Sequence, residues 1–358
     1  MKVLPDEVIL HILARLPVKF LFRARTVCKR WYCLSSEDYF TKMYNEVSSK
    51  NPVVLVELSQ FDAPFSGLIC VDNARSATEL SWDFLKERVK IRATCNGLLC
   101  CSSIPDIDVY YVCNPMTRKW RLLPRCRERH ATRFFPNGEA TLVGLASDMF
   151  SKKFSVVLAG FHRTFGHRAD GTFVCMIFDS SSNKWRKILS FQDDTFTHMN
   201  RNQAVFVNGA LHWLTSTCSY VLALDLECDT WKKISLPYEL TREICNRLYL
   251  LERDGLLSVI QISEGWMTIW VLKDYIREVW FVVDRVSLRC IKWMMPGIFP
   301  ICQSSEDVIL ATHKQVLVYH SPTRAWKGVY SVKNNSTFAL WLSAYAFKCT
   351  ITPCTYTD

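Results

Sequence analysis

Apolar positions along this chain obey two successive rules. Up to about residue 50 they recur at helical spacing. Val8, Ile9, Ile12, Leu13 and Leu16 form one stripe, introduced by Leu4-Pro5-Asp6-Glu7. Proline suits a first helical turn, and acidic side chains there face the positive end of the helix dipole. Pro17 stops this helix. Phe20, Leu21, Phe22 and Val27 form a second short set, Lys29-Arg30-Trp31 opens a third segment, and Asp38, Tyr39, Phe40 and Met43 suit a fourth. Asn51-Pro52 breaks the pattern. Beyond it, β-branched and apolar runs alternate with turn-formers, which predicts strands.

The strand region repeats. Trp120, Trp185, Trp231, Trp280 and Trp326 are each preceded, six residues earlier, by Asn114, Asp179, Asp225, Asp274 or His320. An apolar strand runs up to that residue, and a second strand starts on the tryptophan. This spells a hairpin, because Asn or Asp opens a turn by bonding its own backbone two residues on. Lys or Arg follows the tryptophan at four of the five sites and is expected to face water. Further strands precede these hairpins at Gly97-Leu98-Leu99-Cys100, Gly209-Ala210-Leu211-His212-Trp213 and Gly255-Leu256-Leu257-Ser258-Val259.

The tryptophan spacings are 65, 46, 49 and 46 residues, and a four-stranded propeller blade takes ~40–50. The long interval implies one blade with an insertion over 125–139. A weaker unit over Val53 to Trp82 comes first, and the last strand, Phe338 to Phe347, is expected to pair with Val53-Val54-Leu55-Val56 and close a ring. The predicted chain is α+β and multidomain: a helical module over 1–50, then an all-β, roughly six-bladed propeller over 51–358.

Composition adds limits. The formal net charge is +10, moderate for a nucleic-acid binder, and no aromatic stacking platform interleaves the basic residues. No apolar run approaches the ~18 residues of a spanning helix, and the first residues carry no signal-peptide h-region. The 16 cysteines never form C-x-x-C, which disfavours zinc ribbons and thioredoxin-like motifs. Those inside apolar runs (Cys100, Cys113, Cys175) read as buried free thiols.

The stretch Leu4-Pro5-Asp6-Glu7-Val8-Ile9-Leu10-His11-Ile12-Leu13-Ala14-Arg15-Leu16-Pro17, followed by Phe22-Arg23-Ala24-Arg25-Thr26-Val27-Cys28-Lys29-Arg30-Trp31, closely resembles the F-box motif, over about Val3 to Tyr44. The remainder resembles the F-box-associated, kelch-like region of plant F-box proteins. Cys95-Asn96-Gly97-Leu98-Leu99 and Val112-Cys113-Asn114-Pro115-Met116-Thr117-Arg118-Lys119-Trp120-Arg121-Leu122-Leu123-Pro124 carry that likeness. Kelch blades usually hold a Gly-Gly pair, and this chain has none, which points to the associated type.

The resemblance implies a non-catalytic substrate receptor of an SCF-type cullin–RING ubiquitin ligase, in cytoplasm or nucleus. By motif match, the face for a Skp-type adaptor comprises Leu4, Pro5, Ile9, Ile12, Leu16, Pro17, Leu21 and Val27, rimmed by Arg15, Lys19 and Arg23. The propeller would hold a target protein. Two other readings stay open: an F-box scaffold outside a ligase, and a propeller enzyme.

Catalytic and cofactor signatures are sparse. No G-x-G-x-x-G, Walker A, H-E-x-x-H or G-x-S-x-G pattern occurs, so no cofactor or metal is expected. His212, beside Trp213, reads as a core histidine with its hydrogen bonds satisfied; His162 and His167 read as a solvated basic loop; Asp193-Asp194 read as exposed neighbours. The strongest charge feature runs from Arg118 to Arg133. Within it Arg125, Arg127 and Arg129 are candidates for gripping an acidic or phosphorylated target.

Overall fold

The computed structural model describes residues 4–49, 53–60, 67–71, 77–104, 108–128, 130–131, 142–148, 152–163, 169–192, 204–215, 218–241, 247–263, 265–294, 297–312, 314–331 and 340–354. Four helices come first: α1 (Asp6–Ala14), α2 (Val18–Ala24), α3 (Lys29–Ser36) and α4 (Asp38–Ser49). Pro5 and Pro17 are the N-cap residues of α1 and α2. Pro17 therefore does more than end the first helix: its fixed φ also sets up the next. Ile9, Leu10, Leu13, Ala14, Val18, Leu21, Phe40 and Tyr44 form the core of this module.

The strands form six sheets, all antiparallel. Taken from the axis outward, blade 2 comprises Arg88–Cys95, Leu98–Ile104, Tyr110–Asn114 and Lys119–Leu122. Blade 3 comprises Leu142–Ser147, Phe154–Arg163, Ala169–Asp179 and Lys184–Gln192. Blade 4 comprises Val205–Val207, Ala210–Leu214, Tyr220–Asp225 and Thr230–Ser235. Blade 5 comprises Arg247–Arg253, Leu256–Ile262, Trp266–Asp274 and Val279–Ser287, and blade 6 comprises Phe299–Gln303, Asp307–Ala311, Gln315–His320 and Ala325–Ser331. Blade 1 is composite. Its axial strand is the last among the described residues, Leu340–Phe347, joined to Val53–Gln60, Gly67–Val71 and Ala77–Leu80. The closing pair runs in register from Val53↔Phe347 to Gln60↔Leu340, as the sequence predicts; 338–339 lie outside the described residues.

The long third repeat gains its length in two places. His130–Ala131 adds to the second strand of blade 3, pairing Phe161↔Ala131, and the two middle strands of that blade are 10 and 11 residues long. Residues 132–141 lie outside the described ones.

The hairpin chemistry is as the repeat implies. Asp225 Oδ1 accepts the Glu227 and Cys228 amides at 2.8 and 2.9 Å, and Asp274 Oδ1 accepts those of Ile276 and Arg277 at 3.0 and 2.9 Å. His320 replaces the acid in blade 6, its Nδ1 accepting from the Thr323 amide at 3.4 Å. One feature of these turns escapes a reading for Gly. The residue two before each tryptophan is left-handed, and it is Arg118, Asn183, Asp229, Glu278 or Arg324, with φ between 53° and 57°. A side chain is kept there because it is used.

The blade before reaches across to it. Arg121 donates to Asn183 Oδ1 at 2.9 Å, and Arg186 to Asp229 Oδ1 at 2.8 Å. Lys232 lies 3.7 Å from Glu278. The polarity reverses for Asp83 with Arg118, and for Asp284 with Arg324 at 2.6 Å. The basic residues after three of the tryptophans thus latch one blade to the next instead of merely facing water. Each such exposed pair contributes little alone, but together they link neighbouring outer strands at five seams.

Apolar clusters fill the seams between blades. Trp231 lies 6.2 Å from Phe173 of blade 3, edge to face, and 5.7 Å from Trp213. Trp280 donates Nε1–H to Ser235 O of blade 4 at 2.9 Å, and Trp185 to Pro124 O at 2.6 Å. Every cysteine among the described residues is a free thiol, and Cys100, Cys113 and Cys175 fill fully buried core positions. Burial pushes the Cys100 thiol up to about 12, which keeps it protonated and unreactive.

Candidate functional site: an exposed helical face tied to blade 2

Leu4, just before α1, and Val8 and Ile12 on it follow one another at helical spacing and are 54, 42 and 48% exposed. Phe20 on α2 is 50% exposed and Val27, just before α3, 65%. Beneath this row, α1 turns Ile9, Leu10 and Leu13 inward. A four-helix module that leaves five large apolar side chains in solvent, over a finished core, has a surface suited to a partner.

Polar contacts hold this face in shape. Arg30 of α3 reaches back to the start of α1, donating to Asp6 Oδ1 at 2.7 Å and Leu4 O at 2.8 Å. Arg25 ties the end of α2 to α3 through Ser35, Nε to Oγ at 3.0 Å, and lies 5.2 Å from the Phe22 ring. Burial lowers the Arg25 pKa, partly countered by Tyr32 and Tyr44. Tyr44 Oη donates to Leu16 O at 3.1 Å, fixing the α1–α2 corner.

Eight residues were expected on the adaptor face. Leu4, Pro5, Ile12, Pro17 and Val27 are exposed, and Leu16 is half-buried. Ile9 and Leu21 are 4 and 0% exposed and belong to the core. They support the face from beneath, because a helix this short must spend one side on its own module. Val8 and Phe20, members of the apolar sets that the motif match leaves out of the adaptor face, take surface places. Arg15, Lys19 and Arg23 are exposed around it.

The helical module and the propeller are joined by the chain's own end. After the closing strand, 348–354 run between α4 and blade 2. Asn45 of α4, 1% exposed, donates Nδ2–H to Thr352 Oγ1 at 2.8 Å and accepts the Ile351 amide at 3.0 Å. Asn114 of blade 2 donates to Thr350 O and Thr352 O, both at 3.0 Å, while its Oδ1 accepts the Met116 amide at 2.9 Å. Thr350 Oγ1 donates to Asn96 O at 3.0 Å. Gly97 has φ +82°, and a Cβ there would fall 1.8 Å from Thr350 Oγ1, so this turn accepts only glycine. Ile351 is buried in the helical core, and Lys152 of blade 3 pairs with Asp38 of α4.

On the propeller, the basic run divides. Arg118 and Arg121 are spent on the inter-blade latches. Arg125 and Arg127 are exposed, with Glu128 between that stretch and Lys187 at 3.4 Å. Arg129 lies outside the described residues, as do His167, Asp193 and Asp194 and the side chain of His162. His212 is fully buried. Its Nδ1–H donates to Val205 O at 3.2 Å, and its Nε2 accepts from Tyr275 Oη at 2.9 Å. Burial lowers its pKa to about 4, so it is a neutral core histidine. Where the axial strands end, the channel holds a cavity of about 270 Å³, lined among others by Cys95, Val205, Leu250, Glu252, Gln303 and Lys348. Glu252 spends an oxygen on the Gly255 amide at 2.7 Å. Among the described residues, no three His, Cys, Asp or Glu side chains gather as metal ligands, and no helix is long and apolar enough to cross a membrane.

A helical module with an outward apolar face, fastened to a six-bladed propeller, defines a two-part binding protein. The chain belongs to the F-box proteins with a propeller: the F-box-like family matches residues 1–45 and the F-box associated beta propeller domain matches 68–357. In Arabidopsis thaliana, F-box protein At5g49610 is 60% identical over 353 residues, covering 98% of this chain and 97% of that one. Two more distant relatives from the same plant are F-box protein At5g10340, 25% identical over 90% of this chain and 79% of its own length, and F-box/LRR-repeat protein At2g43260, 24% identical over 80% and 68%.

Proposed function

We propose that this protein is the substrate-recognition subunit of an SCF-type ubiquitin ligase. The row Leu4, Val8, Ile12, Phe20 and Val27 docks in a groove of a Skp-type adaptor, which links it to a cullin–RING core. The propeller holds a target protein, with the exposed Arg127 a candidate contact for acidic groups on it. The chain itself supplies no covalent step, and the work is done in cytoplasm or nucleus.

The observation that carries this reading is the exposed apolar row lying within the helical module that matches the F-box-like family. Helix-in-groove docking uses anchors at this spacing. The buried link through 348–354 supports it, because a receptor must hold its target at a set distance from the ligase core.

Calorimetry or co-elution of the full chain with a Skp-type adaptor tests the first step. Tight one-to-one binding is expected, and its loss in Ile12→Asp with an unchanged melting temperature. A folded chain that ignores the adaptor would overturn the reading. Target turnover that is insensitive to proteasome inhibition, with adaptor binding intact, would instead favour a scaffold outside a ligase.

A further inference from the structure

The five outer strands that carry the repeat tryptophan as their second residue differ in the two residues after it. They are Arg121-Leu122, Arg186-Lys187, Lys232-Lys233, Phe281-Val282 and Lys327-Gly328. Four carry at least one cation, the usual protection of a sheet edge against foreign strands. Blade 5 carries none at these two positions, and its outer strand is uncharged from Val279 to Val283.

There Val279, Phe281, Val282 and Val283 are 37, 48, 50 and 40% exposed, and Ile276 in the adjoining turn 87%. Trp266, on the neighbouring strand, is 37% exposed. Val279–Ser287 pairs with Trp266–Asp274 on one side, and no strand covers its other side among the described residues. The edge therefore offers both a backbone ladder and apolar side chains.

The surrounding charge selects the occupant. Lys273 Nζ lies 5.2 Å from the Phe281 ring centroid and the Arg285 guanidinium 4.6 Å from that of Trp266. The nearby acids are engaged, Asp284 by Arg324 at 2.6 Å and Asp274 by the turn amides of Ile276 and Arg277. A second copy of this chain would bring the same cations against these, which disfavours self-pairing.

We propose that the outer edge of blade 5 is a docking strand for an extended segment of a target protein, apolar at alternate residues and flanked by acidic ones. The segment would add as a further strand, its backbone supplying affinity and its acidic flanks register beside Lys273 and Arg285. This rests on the receptor reading above and names where and how the target is held.

The probe is a fluorescent peptide about ten residues long, alternating valine and threonine between glutamate pairs. Fluorescence polarisation would read its binding to the full chain, alongside a lysine-flanked peptide and an N-methylated peptide that cannot pair. The expected result is at least about tenfold preference for the acidic, unmethylated peptide. Phe281→Lys, which places a cation where blades 2, 3, 4 and 6 carry one, should abolish that preference. Val282→Lys is a second variant on the opposite side of the strand, read the same way if the first lowers the melting temperature. Equal binding of all three peptides, or none, overturns the proposal, as does unaltered binding by a folded variant. So does concentration-dependent dimerisation of the wild type that disappears in Phe281→Lys, since the occupant is then a second copy. Adaptor binding in the same samples separates the two readings: intact with no peptide bound, only the docking strand fails; absent, the receptor reading fails.

Discussion

Asn45 and Asn114 hold the same residue from two modules: Asn45 donates to the Thr352 hydroxyl and Asn114 to its carbonyl. One belongs to α4, the other ends the third strand of blade 2, and both are buried. The relative placement of the modules is therefore set by side-chain amides acting on the tail, and less by direct helix–blade contact.

Asn114→Ala removes two donors to the tail and the acceptor that shapes its own turn. A loss of about 2 kcal/mol is expected, the scale for leaving buried partners unsatisfied. Because the tail relays the effect, Asn45→Ala and Asn114→Ala should be non-additive in a double-mutant cycle of urea unfolding. Strict additivity would mean that the tail does not couple the modules.

The adaptor face predicts a separation of effects. Leu4→Ala with Pro5→Ala, or Ile12→Asp, should weaken adaptor binding at least about tenfold while leaving the melting temperature in place, as expected for exposed anchors. Ile9→Ala should instead cost about 2–4 kcal/mol of stability, as for a buried aliphatic residue. If Ile9→Ala leaves stability intact, or Ile12→Asp leaves binding intact, the two sides of α1 have been exchanged.

Trp231→Ala opens the seam between blades 3 and 4, where the ring meets Phe173 and Trp213. About 3 kcal/mol of destabilisation is expected, the lower range for losing a large aromatic, since this ring is not fully enclosed. A thermal melt checks it, and an unshifted transition would remove the tryptophans from the role of seam fillers.

Much of this architecture was legible because its determinants are local. A helical period, a proline cap and an Asp-turn-Trp hairpin each lie within a dozen residues. Six blades and the pairing of Val53 with Phe347 followed from counting those hairpins. What escaped depends on neighbours distant in sequence. Nothing in the run after Trp185 says that Arg186 reaches Asp229, one blade on, or that Asn114 must serve a tail more than two hundred residues away. The residues that carry the family likeness in blade 2, Asn96-Gly97 and Asn114, prove to be those that clamp this tail. On α1, period alone could not tell Ile9 from Ile12, because a short amphipathic helix has one stripe, and which edge of it turns inward depends on α4 and Ile351.

Two buried groups predict a pH response of opposite sign. Glu57 is 5% exposed on the strand that pairs with the closing one, and Tyr345 Oη lies 3.1 Å from its Oε2 and 3.2 Å from Ile91 O. A single hydroxyl proton cannot serve both acceptors. Donation from Tyr345 favours the ionised carboxyl, but burial outweighs it and raises the Glu57 pKa from 4.5 to about 7. The folded state then holds a proton that the unfolded chain releases above about 4.5, so stability falls as pH rises from there to about 7. His212 acts in reverse. Its pKa drops from 6.5 to about 4, the unfolded chain binds the extra proton, and stability falls as pH drops through that window. Each group spans about 3 kcal/mol, and over the shared range the two slopes nearly cancel. Removing one should unmask the other. Glu57→Gln is expected to make stability climb with pH between about 4 and 6.5, and His212→Gln to make it decline between about 4.5 and 7. Urea unfolding across that range reads both, relative to wild type. Parallel profiles for Glu57→Gln and wild type would show that the carboxyl beside Tyr345 is ionised in the fold and that closure of the ring carries no proton.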